Sequence, residues 1–382
     1  MTLLQARRLI LYRNTIRALQ IGSAMTEFRL EVSMKLLRCV PILAIAAVCE
    51  AHTIWAQTAA NTANSLDGKT VFAIAVDPQN TNTLYAGTQL GVFKSANAGR
   101  DWSGPNSASP IGITSLKVDP QNSTTVYATS YSSEYSDGVY KSLDGGRTWT
   151  RILQVYGAWM IAIDPQNTRS LFVAAGWGDI DANPGIYISS DGGMSWHKTS
   201  DFHIYSLAID PQNPQIIYAG GFGGGNDHRG RPTDALVKSS DGGQSWIVVP
   251  SQRNWPFGYI SALAIDPQNP RTIYAGSNTG VVKSTDAGES WTNVTPNLGD
   301  PINVVKLAID PVDTSIVYAS VLIGRSGVPG FTVTTDGGRT WHTIPKFNAI
   351  QIHSVPTHCV LLSPAGSQTL SPSRFRTAFQ LI

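Results

Sequence analysis

One unit recurs six times along this chain, and the recurrence limits the fold more than any other feature. The unit is typified by LAIDPQNPRTIYAG followed by GVVKSTDAGESW. Its Asp-Pro dipeptide starts at Asp77, Asp119, Asp164, Asp210, Asp266 and Asp310, at spacings of 42, 45, 46, 56 and 44 residues. It closes on Trp102, Trp149, Trp196, Trp246, Trp291 and Trp341. A period of roughly 40–50 residues is that of a four-stranded propeller blade.

Each unit divides into four short β-patterned runs. In the fifth these are ISALAID, TIYAGS, GVVKSTD and SWTNVT. Alternation and β-branched or aromatic residues mark strands, and helical periodicity is absent from the repeats. Asp-Pro-Gln-Asn between the first two runs fits a type I turn, with Asp first and Pro second. Between the last two lies an eight-residue box: SLDGGRTW, SSDGGMSW, SSDGGQSW, STDAGESW and TTDGGRTW, with a degenerate first copy, SANAGRDW. Its structural residues are Asn97, Asp144, Asp191, Asp241, Asp286 and Asp336 together with the six closing Trp. The carboxylate accepts hydrogen bonds from turn amides, and Asn97 can still accept one. The Gly two residues on permits positive φ, and the Trp ring pins the turn to the blade.

These motifs resemble the BNR/Asp-box repeats of sialidases, sortilin-type receptors, certain xyloglucan-cleaving hydrolases and photosystem II assembly-factor propellers. The resemblance covers residues 71–341. It implies an all-β propeller of four-stranded antiparallel blades, and the box is a folding device shared by unrelated activities. VLLSPAGSQTL, residues 360–370, aligns with the start of a seventh unit, Ser363 and Pro364 taking the Asp-Pro place. No box follows. The expectation is therefore six complete blades plus an incomplete seventh, in seven-bladed geometry, with six blades as the alternative.

Residues 1–33 are expected to be an upstream extension from a misassigned start. Residues 34–57 have the pattern of a signal peptide: Lys35 and Arg38, an apolar run from Val40 to Val48, and a cleavage site near Ala56 or Gln57. That run is too short for a stop-transfer helix, so a membrane is expected only through an uncleaved signal segment. The propeller is expected over 58–370 and an irregular tail over 371–382, in a secreted, periplasmic or extracellular monomer. Cys39 and Cys49 fall in the signal segment, which leaves Cys359 and no internal disulfide. A net charge of +2 and the absence of a Lys/Arg run inside the repeats argue against nucleic acid.

Strand direction alternates within a blade, so the Asp-Pro and Asp-box turns share one face. The other face carries connections that vary in length, including Ser130–Gly138, Gly176–Gly185, Gly221–Ala235 and Val321–Gly330. Variable loops on a rigid ring are where binding residues usually sit. Of the 10 Trp, six close boxes and Trp55 is in the signal segment. The remaining three, Trp159, Trp177 and Trp255, fall on the variable face. Trp159 stands five residues before its Asp-Pro, where other units carry Phe72, Thr114, Tyr205, Ser261 and Val305. These six are expected to ring the mouth of the central channel. The binding candidates are Trp159, Trp177, Tyr205, Arg229, Arg231, Arg253, Trp255 and Tyr259.

The pattern speaks against catalysis without deciding it. A sialidase-like site needs an Arg cluster, a Tyr nucleophile and a Glu; beyond the signal region only Glu134 and Glu289 occur, and Glu289 is inside a box. Other glycosidases need two carboxylates across a cleft. If this were a hydrolase, Asp179, Asp181, Asp227, Asp234 or Glu134 would be the acid or base. The xyloglucan-cleaving relatives hold substrate between two propellers, and one propeller is present here. No metal-ligand spacing and no phosphate-binding Gly loop is present, so neither metal nor cofactor is expected. The leading expectation is a non-catalytic module binding a protein segment or glycan on its variable face. The alternatives are a glycoside hydrolase and a truncated, non-functional propeller.

Overall fold

The structure is a computed structural model. It describes Leu66 and residues 69–132, 137–176, 184–221, 225–226, 232–233, 236–249, 259–295, 302–324, 328–344, 351–355, 358–363 and 366–370.

Each unit folds as one antiparallel meander whose strands lie side by side in chain order. In blade five these are Ile260–Ile265, Ile273–Ser277, Gly280–Ser284 and Thr292–Asn293. The connections are too short for any other order. Strand two of this blade is buried at every residue, while its outermost strand is exposed. A middle strand covered on both faces by neighbouring blades needs an unbroken small-and-apolar run, and Ile-Tyr-Ala-Gly-Ser supplies it.

The core is a series of wedges between successive blades. Tyr274 and Val281 of blade five pack with Ile302, Val304 and Val317 of blade six, and the half-buried ring of Trp341 lies against them. Trp149, Trp196, Trp246 and Trp291 take the same place in the preceding wedges. Gly276 shows how tight a wedge is, since a Cβ there would run into the side chain of Val304.

The box makes the turn that aims the Trp. Asp144 Oδ1 accepts from the amides of Arg147 and Thr148 at 2.9 and 2.8 Å, and Oδ2 accepts from the Thr148 hydroxyl at 2.6 Å. Ser142 donates to Asp144 Oδ1 at 2.8 Å and accepts from Gly146 N at 2.8 Å. Trp149 Nε1 donates to Gly146 O at 3.1 Å. In the first copy Asn97 Oδ1 still accepts from Asp101 N at 2.9 Å.

Two further devices, built from recurring Tyr, Lys and Gln residues of the unit, tie blade to blade. In blades one, four and five the Tyr of strand two and the Lys of strand three converge on one carbonyl in the box of the next blade. Tyr218 Oη and Lys238 Nζ donate to Ala287 O at 2.8 and 3.3 Å. Tyr85 and Lys94 do so to Gly145 O at 3.3 and 3.0 Å. Each Lys also lies over its Tyr ring, 5.2 Å from the centroid for Lys238. Blade three has Phe172 and Ile188 in these places, and there its contact with blade four is apolar. On the Asp-Pro face, Gln side chains reach to the next turn: Gln79 Nε2 to Pro120 O at 3.0 Å, Gln212 Nε2 to Pro267 O at 2.9 Å and Gln268 Nε2 to Pro311 O at 3.0 Å.

The blade count corrects the expectation. The blades number six, one for each box; five have four strands, and the first completes its edge through a single bridge between Lys94 and Ser103. Among the described residues, the central channel is lined by the inner strands of these six alone. The six-bladed alternative therefore holds and the seven-bladed geometry does not. Past blade six the described residues form a three-stranded meander, Gln351–Val355, His358–Ser363 and Gly366–Leu370, whose first strand lies beside the inner strands of blades one and six. With no box there is no Trp to fill a wedge and no turn to fold back an outer strand.

Candidate functional site on the variable face

Every inner strand slips register at the residue five before its Asp-Pro. The slips fall between Val71 and Ala73, Ile113 and Ser115, Ala158 and Met160, Ile204 and Ser206, Ile260 and Ala262, and Val304 and Lys306. The residues passed over are Phe72, Thr114, Trp159, Tyr205, Ser261 and Val305, the set that sequence spacing had brought together. A bulge leaves its extra residue outside the ladder and re-aims its side chain. All six are at least partly exposed, and Phe72, Thr114 and Ser261 line the channel. Where the bulge residue is small and hydroxylated it bonds to the next blade: Thr114 Oγ1 donates to Ala158 O at 2.6 Å, and Ser261 Oγ donates to Val304 O.

Where it is aromatic, a cluster forms across blades two to four. The ring of Trp159 lies 5.4 Å from Tyr131 and 6.3 Å from Tyr205. Tyr131 in turn meets Tyr156 edge-on at 5.5 Å, with the two hydroxyls 3.4 Å apart. Beside Tyr131, the carboxylate of Asp137 is buried and accepts from Ser132 N at 2.6 Å. Burial holds the Asp137 carboxyl above its ordinary value against the hydrogen bonds from Ser132 and Gly157. That bond closes the loop that bears Tyr131, and the bond to Gly157 ties it to the entry of blade three.

Of the expected binding residues, Trp159 and Tyr205 are brought together. Tyr259 is engaged elsewhere, its hydroxyl accepting from Asn303 Nδ2 at 2.7 Å. Trp177, Arg229, Arg231, Arg253 and Trp255 lie outside the described residues, as do Asp179, Asp181, Asp227, Asp234 and Glu134. Sequence spacing missed Tyr131, Tyr156 and Asp137. Their signal was position: Tyr131 and Asp137 bracket the insertion of blade two, and Tyr156 ends the link into blade three. Among the described residues no cluster of His, Cys, Asp and Glu could hold a metal ion, and no helix is long and apolar enough to cross a membrane.

Six Asp-box units, each folded as one blade around a shared channel, make this chain an Asp-box β-propeller. The BNR/Asp-box repeat family matches residues 187–198, which span the third box. No curated protein matches the chain. Among solved structures it is similar to the GH74 xyloglucanase from Xanthomonas campestris, at 18% identity and a TM-score of 0.58, covering 79% of this chain and 52% of that one. It is similar to YCF48 bound to D1 peptide, at 14% identity and a TM-score of 0.55, covering 79% of this chain and 91% of that one. It is also similar to the extracellular domain of BT4673 from B. thetaiotaomicron, at 13% identity and a TM-score of 0.57, covering 78% and 38%. The chain spans about half the length of the GH74 enzymes it matches.

Proposed function

We propose that this protein is a secreted, non-catalytic binding module that takes up an extended segment of a partner protein across its variable face. The aromatic cluster of Tyr131, Tyr156, Trp159 and Tyr205 carries this reading. Partly exposed rings from three blades offer a continuous apolar strip with polar tips, the kind of surface that anchors peptides. The expected Arg residues of the neighbouring loops would add charge to its rim. Relative size supports the reading: the match takes in 91% of a propeller bound to a peptide and 52% of the GH74 xyloglucanase. The signal-type segment at 34–57 supports export.

The test is a peptide array and a glycan array, each probed with the purified protein and with Trp159→Ala and Tyr156→Ala. Peptide binding lost in both variants, at an unchanged thermal midpoint, is the expected result. Turnover of any glycan overturns the non-catalytic assignment. Glycan binding without turnover, with no peptide bound, replaces the partner class.

A further inference from the structure

The central channel carries a pair of charges that the fold itself does not use. Its cavity, about 530 Å³, is lined by the six inner strands from Phe72, Thr114 and Ser261 to the prolines of the Asp-Pro turns. The wall is mostly aliphatic. Among the described residues its only charged ones are Lys117 and Lys306, from blades two and six.

Both lysines depart from the repeat. Lys117 stands two residues before its Asp-Pro, where the other blades carry Ala75, Ala162, Ala208, Ala264 and Ala308. Lys306 stands four before, where the others carry Ala73, Ser115, Met160, Ser206 and Ala262. A small or apolar residue therefore suffices structurally at either place. Among the described residues neither ammonium makes a hydrogen bond or an ion pair, and no carboxylate lines the channel to neutralise them. The ring of strands encloses both, while each keeps part of its surface open to the channel. Enclosing two like charges without a partner is costly, and the cost reverses when an anion enters.

We propose that the central channel is a binding site for a small organic carboxylate, its anionic group held by Lys117 and Lys306 and its apolar body against the aliphatic wall. Lysines bind anions as point charges, and the cavity is of the size that small ligands occupy. An aliphatic wall disfavours a fully hydrated anion such as inorganic phosphate. The site is separate from the aromatic cluster, so it stands whether or not that surface binds a peptide.

The burial that lowers the Lys117 ammonium to about 8, assisted by the charge of Lys306, gives the site a pH signature. Lys306 is also lowered by burial, and these two are the titratable groups that line the channel. The carboxylate binds the protonated lysines, so its affinity falls as pH rises through about 8.

The experiment is calorimetric titration of the purified full chain with glutarate, hexanoate and inorganic phosphate. It is repeated on Lys117→Met and Lys306→Met, and run with a tripeptide bearing a free C-terminus beside its amidated form. The expected result is binding of a carboxylate, weakened about tenfold by either substitution. Binding of the free tripeptide in place of the small acids would identify a chain terminus as the source of the same carboxylate. No binding of any carboxylate, or equal binding by the Met variants, overturns the proposal; binding of phosphate alone overturns the organic class. Should a variant not fold, ¹⁵N-lysine NMR of the wild type decides. The titration midpoint of Lys117 must rise when carboxylate is added, and an unmoved midpoint rejects the site.

Discussion

Lys283 Nζ lies 2.7 Å from the carbonyl oxygen of Gly337, a residue of the following blade. The same carbonyl accepts from Tyr274 Oη at 3.0 Å, and the ammonium sits 5.1 Å from the Tyr274 ring centroid. One box carbonyl thus gathers two donors that themselves attract each other. Lys283→Met should cost about 1–2 kcal/mol, measured by urea unfolding, because it removes a charge-assisted hydrogen bond and a cation–π contact together. In the double variant with Tyr274→Phe the losses should be less than additive, since the two residues share one acceptor.

Ala287 adopts φ 65°, and Ala98 φ 59°, where the other boxes carry Gly145, Gly192, Gly242 and Gly337. An L-residue in this region is strained, and Gly relieves the strain at some entropic cost. Ala287→Gly should therefore stabilise the chain by about 0.5 kcal/mol, and Gly337→Ala should destabilise it by about 1 kcal/mol. At Gly337 a Cβ would meet only Lys283 Nζ at 3.4 Å and Tyr274 Oη at 3.8 Å, so backbone strain decides the sign. Paired chemical denaturation curves check both.

Gly276→Ala acts by a different route. Its new Cβ would collide with Val304 in the inner strand of the next blade, and overpacking of this kind costs about 1–3 kcal/mol. Val304→Ala in the same chain should recover part of the loss. Thermal unfolding of the two single variants and the double variant tests the pairing.

Stability should fall steeply in acid. The Ser245 hydroxyl and amide hold Asp241 at about 2, and Ser290 does the same for Asp286. Asp144 and Asp191 are held lower still, by Thr148 and Ser195 first. Carboxylates with depressed folded values contribute stability that is complete above the ordinary value of about 3.8 and lost as pH falls toward 2. Asp241→Asn should flatten that part of the profile.

The alkaline limb should rise before it falls. Lys117 loses its proton near 8 when folded and near 10.5 when unfolded, so between these values the unfolded chain binds more protons and stability increases with pH, by up to about 3 kcal/mol. Burial raises Tyr85, Tyr127 and Tyr218 to about 12. Above pH 10 the folded chain keeps protons that the unfolded chain releases, and stability drops. A maximum near pH 10 is expected, and Lys117→Met should reduce the rise, leaving the part that Lys306 contributes.

Repeat spacing made the blades, their strand order and the role of the boxes legible, because each rests on local chemistry carried six times. It also picked out the bulge residues, since Trp159 and Tyr205 share a register position with Phe72 and Ser261. What stayed hidden depended on neighbours. Tyr131 and Tyr156 lie in links with no counterpart in other units, so nothing in the period flagged them. Tyr274 and Lys283 look like ordinary strand residues until the next blade supplies the carbonyl. VLLSPAGSQTL imitates the start of a unit and so suggests a seventh blade, while a full blade also needs the box and the Trp that follow.

The chain of Gln side chains on the Asp-Pro face has a beginning and an end. It passes from Gln79 through Gln121, Gln166, Gln212 and Gln268 to the turn of blade six, where Val312 stands in the Gln place, 62% exposed, and offers no amide to carry it on. Among the described residues the circular arrangement is therefore stitched like an open belt, with one seam left without thread. Local opening, and with it amide exchange and proteolytic entry, should start after blade six and spread backward through the numbered blades, giving a structurally near-symmetric ring a fixed order of disassembly.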